Sequence, residues 1–237
     1  MATIIQKIKD IDWEKITEDM HQNGYAIIPN LIDNDSCEEL KAGYEKTGTY
    51  RKRVIMERHR FGLGEYKYYD YPLPDIIQNI RAHIYPYLAP IANTWFKALQ
   101  IDKEFPLVHE ELLSECYANE QKKATALILK YGKGGFNTLH QDLYGDVYFP
   151  IQIVLMLTQP EEDFTGGEFV LTQQIPRAQS KAIVLKPNKG DLLIFTTNFK
   201  PEKGIKGYYR VNVKHGVSEV KNGNRYTLGI IFHDALN

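Results

Sequence analysis

His140-Gln141-Asp142 sets an imidazole and a carboxylate two residues apart. On an extended strand, residues i and i+2 project to one face, so both groups can reach a single ion. The spacing alone is weak evidence in a chain with seven histidines. His109-Glu110-Glu111 repeats it with glutamate, but in a segment that reads as helix, where i and i+2 diverge, and it is set aside as structural. A second histidine, His215, falls on a later strand candidate, and ten residues further on comes Arg225-Tyr226-Thr227, whose guanidinium and hydroxyl share a face. Two imidazoles and one carboxylate make the facial donor set of non-haem Fe(II) oxygenases, which leaves coordination positions open. A buried arginine needs an anion, and a carboxylate matches its planar fork. Together these residues predict iron with a dicarboxylate co-substrate. His21, His59 and His83 lie on helical or amphipathic stretches and read as surface or hydrogen-bonded side chains. Gly132-Lys133-Gly134-Gly135 lacks the Gly-Lys-Ser/Thr ending of a phosphate loop and reads as a turn.

Such residues must be held by strands, and the texture of the chain changes near Ala124 to supply them. From there to Phe232 it runs in short β-rich segments, 124–131, 148–158, 168–172, 191–196, 211–220 and 225–232. Turn clusters separate them, with no helical crossover between. That pattern argues for an antiparallel jelly roll rather than a parallel α/β sheet. The first half reads mainly helical. Trp13, Ile16 and Met20 have helical spacing that stops at Gly24, followed by a strand candidate at 25–28. A helix over 33–47 opens on Asp33 or Asn34 as N-cap. Ile76, Ile77, Ile80, Ile84, Leu88 and Ile91 form one helical stripe, which Pro86 and Pro90 are expected to kink or split. The expectation is an α+β fold in one domain over 1–237. Mainly helical support over about 1–120 buttresses a catalytic jelly roll, a double-stranded β-helix, over about 121–237.

Composition narrows the class. With 43% hydrophobic, 25% charged and 12% aromatic residues, the chain reads as a soluble globule. Twenty-nine basic residues against thirty acidic ones give a net charge of −1, which excludes the generally basic surface of a non-specific nucleic-acid binder. The longest strongly apolar run, 151–157, contains Gln152 and falls far short of the roughly 20 residues that span a bilayer. Residues 1–10 carry no signal-peptide core, so the expected location is the cytoplasm, with no membrane contact. Cys37 and Cys116 form no CxxC pair, against a disulfide scaffold or a thiolate zinc site. The run 151–157 and the aromatics Tyr144, Tyr148, Phe149 and Phe169 could wall off a dry site, although most of them read as core.

In chain order stand Tyr131, His140-Gln141-Asp142, the turn Phe164-Thr165-Gly166-Gly167-Glu168-Phe169, the segment 190–195, His215-Gly216-Val217 and Arg225-Tyr226-Thr227-Leu228. This order resembles the Fe(II)/2-oxoglutarate-dependent oxygenase superfamily. Within it, the strings HQDLYGDVYFPIQ, FTGGEFVLT and RYTLGIIFHDA resemble a bacterial 2OG-Fe(II) oxygenase family sometimes described as AlkB-like and acting on damaged DNA. The resemblance runs from about Tyr50 to Ala235. It implies Fe(II) held by His140, Asp142 and His215, with 2-oxoglutarate and O2 as co-substrates. Arg225 would grip the distal carboxylate, with Thr227 assisting and Tyr131 contacting the co-substrate. AlkB-type sites pair that tyrosine with an asparagine two residues earlier and carry a second arginine downstream. Here Leu129 takes the first place and no arginine follows Arg225.

The expected function is therefore a dioxygenase that hydroxylates a C–H bond of a small molecule or a protein side chain, releasing succinate and CO2. A dealkylase of damaged nucleic-acid bases is the alternative within the superfamily. Its material is local: ten Lys/Arg against three Asp/Glu over 181–225, and eight against three over 41–67. In and just after the latter stretch, Tyr50, Tyr66, Tyr68, Tyr69 and Tyr71 interleave with Arg51, Arg53, Arg58 and Arg60. The alternative outside the superfamily is a non-catalytic jelly-roll binding module that keeps a metal for stability. Arg225 with Thr227 argues against it, since a structural metal needs no carboxylate clamp.

Overall fold

The computed structural model describes residues 3–143 and 145–236; Tyr144, one candidate for the dry wall, lies outside the described residues. The helices are α1 (Ile4–Lys9), α2 (Trp13–Asn23), α3 (Asn34–Ala42), α4 (Asp75–Ala98) and α5 (His109–Ala118). The first half also carries β1 (Tyr25–Ile28), β2 (Tyr50–Ile55), β3 (Gly62–Leu63) and β4 (Glu65–Tyr69). The second half begins with β5 (Leu127–Tyr131), β6 (Phe136–His140), β7 (Ile151–Met156), β8 (Phe164–Gly166) and β9 (Phe169–Gln174). It continues with β10 (Ser180–Leu185), β11 (Leu192–Thr196), β12 (Phe199–Gly204), β13 (Gly207–Val217), β14 (Val220–Gly223) and β15 (Arg225–Ile230). A seven-stranded sheet runs β1-β11-β7-β15-β5-β4-β2, and a smaller one runs β10-β9-β13-β6-β3 with β12 beside β13. The pairings within both are antiparallel, and the fold is the expected α+β double-stranded β-helix.

The large sheet sorts its side chains by strand parity. Ile151, Ile153, Leu155, Leu192, Ile194, Leu228 and Ile230 pack outward in one core with the α4 stripe Ile77, Ile80, Ile84 and Leu88. The other parity, Gln152, Val154 and Phe195 with Arg225, Thr227 and Gly229, faces the smaller sheet across a cavity. Phe149 belongs to the helix-side core and not to the cavity wall.

Two expectations need correction. The first half is not simply helical support, because β1, β2 and β4 extend the large sheet at both of its edges. The β2–β4 hairpin carries no apolar alternation to announce it. Its Tyr and Arg/Lys side chains instead pack on one another, with Arg51 4.6 Å from the Tyr68 ring centroid and Lys67 4.0 Å from that of Tyr44. Secondly, α4 is not split at Pro86 or Pro90. Both prolines lie four residues apart on the exposed face, so the carbonyls they leave unpaired can be hydrated. Elsewhere the signals hold. Asp12 caps α2 through the Lys15 amide, Gly24 ends it with φ +76°, and Asp33 caps α3 through the Ser36 amide. No helix among the described residues is long and apolar enough to cross a membrane.

Candidate active site

His140 closes β6, Asp142 follows just past the strand end, and His215 sits opposite His140 in the β6–β13 ladder. His140 Nε2 lies 3.4 Å from one Asp142 carboxylate oxygen and His215 Nε2 3.3 Å from the other. One ligand atom from each of the three residues falls within 4.8 Å of the others. Cis ligands on bonds of about 2.1 Å stand about 3 Å apart. The cluster therefore has the dimensions of one small cation's coordination sphere. Its donors also fit Fe(II), two imidazoles and a carboxylate on one side with room opposite.

The sequence between the ligands explains the convergence. The Gln141 amide donates to the Val213 and Asn198 carbonyls, both at 2.8 Å, which staples the triplet to β13 two residues before His215. His140 Nδ1 lies 2.7 Å from the Thr138 carbonyl; donation there leaves the Nε2 lone pair for a metal. The Phe169 ring stacks on His215 at 5.9 Å, and the Phe195 ring approaches it to 4.8 Å.

Electrostatics keep Asp142 an anionic donor. Burial alone would raise the Asp142 pKa, but hydrogen bonds and charge from both histidines hold it well below the usual carboxylate range. Burial works against the His140 cation, yet Asp142 more than offsets it and the pKa is raised. His215 is fully enclosed, and burial pushes its pKa down despite the same carboxylate.

Arg225 opens β15, in register with Tyr131 on β5. It is 1% exposed, and no carboxylate pairs with it among the described residues. Its Nη1 donates to Thr227 Oγ1 at 3.4 Å, Nη2 touches Met156 Sδ at 3.7 Å, and Nε has no partner. Burial pushes its pKa down to about 10, still charged at neutral pH. The guanidinium carbon lies 5.5 Å from the Tyr131 ring centroid. The buried Tyr131 hydroxyl, near the Asn137 side chain, makes no hydrogen bond of good geometry. Gly166 and Gly167, at φ +71° and +62°, let the turn before β9 pass against this arginine. A Cβ on Gly167 would stand 3.0 Å from Arg225 Cδ, and one on Gly166 would stand 2.3 Å from the Glu219 carbonyl oxygen.

All six sequence-predicted site residues, His140, Asp142, His215, Arg225, Thr227 and Tyr131, line one cavity of about 240 Å³. Residues assigned no individual role from the sequence join them: Gln141, Gln152, Val154, Phe195 and Gly229. Tyr66 and Tyr68, two of the interleaved tyrosines, also line it, two residues apart on β4 with Lys67 between them. His109, His21 and His233 are structural. His109 Nε2 lies 2.8 Å from the Phe232 carbonyl, and His21 accepts from the Trp95 indole. Several side chains of the basic stretches do not stand as free charges. Lys186 pairs with Glu161 and Glu168, Lys189 with Glu38, Lys200 with Glu202 and Arg53 with Glu65. Nor do the tyrosines form one platform, since Tyr71 is bound to Asp234 and Tyr50 packs on Tyr69.

Comparison with known proteins bears on this geometry. A family model described as an oxygenase catalysing oxidative methylation of damaged DNA matches residues 64–235. Two uncharacterized proteins of Mycobacterium tuberculosis are 39% identical to the chain over 190 residues, 78% of this chain and 82% of theirs. Among solved structures, a Burkholderia pseudomallei oxidoreductase of the 2OG-Fe(II) oxygenase family aligns with a TM-score of 0.57 at 15% identity, covering 96% of this chain and 95% of that one. A Pseudomonas putida prolyl-4-hydroxylase gives 0.53 at 14%, covering 92% and 97%. A Trichoplax adhaerens prolyl hydroxylase gives 0.54 at 13%, covering 95% and 90%. At these identities the structural likeness speaks for the fold.

Proposed function

The chain belongs to the oxygenase family described as catalysing oxidative methylation of damaged DNA, and on that premise we propose that it hydroxylates a C–H bond of a small molecule or a protein side chain at an iron held by His140, Asp142 and His215. It is an oxidoreductase with Fe(II) as cofactor and 2-oxoglutarate and O2 as co-substrates. When bound, these supply the oxidation of the C–H bond while 2-oxoglutarate loses CO2 and becomes succinate. The observation that carries this reading is Arg225, a buried cation without a carboxylate partner in the same cavity as the His-Asp-His cluster.

Each residue then has a task. Arg225 binds the distal carboxylate through its free fork, and Thr227 orients that fork from two residues along the same strand face. The Tyr131 hydroxyl, unpaired beside them, donates to the same carboxylate. Phe169 and Phe195 fix the His215 ring and keep water from the reacting centre. Val154 lines the cavity between clamp and metal, and the Met156 sulfur supports the Arg225 guanidinium. A structural metal would leave the buried guanidinium uncompensated, which counts against a binding module without catalysis. Both cysteines are free and buried, which suits a reducing cytoplasm.

A second reading, oxidative dealkylation of a nucleic-acid base, is favoured by the family's own description and by exposed Phe61, Arg58 and Arg60 beside the cavity. The paired lysines of 181–225 favour the smaller substrate. Anaerobic titration with Fe(II) and 2-oxoglutarate tests the shared part. A weak visible charge-transfer band is expected in the parent protein, and its absence would overturn the proposal. Formaldehyde release from a methylated oligonucleotide would move the assignment to the second reading.

A further inference from the structure

Gln152 is the one polar side chain that the inward parity of β7 presents, among Val154 and Met156. It is 5% exposed and lines the cavity, and its Nε2 has no hydrogen-bond partner. A buried donor left unmade is costly, and natural interiors rarely keep one without a use. Its position separates it from the co-substrate clamp. Four residues along β7, about 13 Å, lie between Gln152 and Met156, whose sulfur touches Arg225. In the other direction Gln152 pairs in register with Phe195, the ring packed against His215. The amide therefore stands on the metal side of the cavity, at the end away from Arg225. On β15, Gly229 pairs in register with Val154, the next inward residue of β7, and contributes no side chain; a Cβ there would already stand 2.9 Å from Leu127.

We propose that Gln152 is the substrate anchor of this site, donating a hydrogen bond to an uncharged carbonyl, of the amide type, carried by the molecule to be oxidised. This rests on the oxygenase reading above. The chemical class follows from the surroundings. An anion at this end would find no protein cation, because the lining cation, Arg225, lies at the other end, and the charge of a bound metal is already met by Asp142 and the co-substrate's carboxylate. A cationic group would meet the donor hydrogens. A neutral carbonyl satisfies the amide, and Phe195, Leu127 and Ile231 enclose its apolar flanks.

The test uses the full chain loaded with Mn(II) and 2-oxoglutarate, reading proton relaxation of three small probes: N-methylacetamide, acetate and methylammonium. Paramagnetic relaxation of N-methylacetamide is expected in the parent protein, with about tenfold weaker binding in Gln152→Leu. Gln152→Glu, which turns the donor into an anion, is expected to exchange the preference from the amide to methylammonium. The thermal midpoint of Gln152→Leu should equal or exceed the parent's, because an unsatisfied donor is removed. Amide binding that is unchanged in Gln152→Leu overturns the inference while leaving the oxygenase reading intact. So does a loss of 2-oxoglutarate affinity, which would assign the amide to the co-substrate, or a lowered midpoint with no preference change in Gln152→Glu, which would mark a structural residue. Failure of the parent protein to bind Mn(II) and 2-oxoglutarate would remove the oxygenase reading, and this inference with it.

Discussion

Asp142 is the residue on which the metal site turns, because each of its carboxylate oxygens faces a different histidine. A site with three protein ligands has none to spare. Asp142→Ala, His140→Ala or His215→Ala should each weaken iron binding by more than about 100-fold and abolish succinate production, as read from metal content after dialysis and from product assays. Normal iron content in Asp142→Ala would reassign the site. Arg225→Ala should leave iron bound and weaken 2-oxoglutarate by about 2–5 kcal/mol, at least about thirtyfold in Kd. Co-substrate affinity that does not change would strip Arg225 of the clamp role. These residues were legible in the sequence because their chemistry is unusual and strand parity tells which side chains share a face. Gln141 and Gln152 were not. A glutamine announces nothing until the carbonyls of Val213 and Asn198, or an apolar cavity, are seen around it.

Among the elements, those with simple periodicity were read well and those stabilised by polar side chains were not. The apolar strands β7, β11 and β15 and the capped helices α2 and α3 follow local rules that one window of sequence contains. The β2–β4 hairpin depends on tyrosines and basic side chains packing across strands, and on the Arg53–Glu65 pair, so its pattern looks like a solvated loop. Pro86 and Pro90 leave α4 unsplit, because a proline's cost depends on which face it occupies. That cost remains in the folded state as missing hydrogen bonds. Pro86→Ala should therefore stabilise the protein by about 1–3 kcal/mol, offset in part by a freer unfolded chain. Urea denaturation measures it, and a destabilised variant would show that the helix depends on the proline's fixed φ.

At the scale of the whole molecule, charge and burial each have a consequence. The net charge is −1, and Lys186, Lys189 and Lys200 of the basic stretch are held in pairs with glutamates. Binding to single-stranded DNA should be weak near physiological salt, since its strength scales with the phosphates neutralised. Fluorescence anisotropy across a salt series checks this, and tight binding with a steep salt slope would contradict it. Burial governs acid stability. The C-terminal segment after β15 is tied to α5 where His109 meets the Phe232 carbonyl, and to the approach of β7 where His233 Nδ1 accepts from the Phe149 amide. Burial, reinforced by the Arg81 charge nearby, pushes both imidazoles down from 6.5 to about 3. Arg81 itself is held by the buried Asp234 at 2.7 Å, so its charge persists. Between pH 6.5 and about 3 the unfolded chain binds protons on these two residues that the folded chain does not. Stability must then rise with pH through that window and be lost as pH falls through it. Carboxylates with lowered values, such as Glu38 and Glu65, act in the same direction, but only below their ordinary 4.5. Urea midpoints of the parent should therefore already decline between pH 6.5 and 4.5, and His109→Gln, which removes one of the two imidazoles, should decline less steeply over the same interval. Equal slopes for parent and variant would mean that His109 accepts its proton without unfolding.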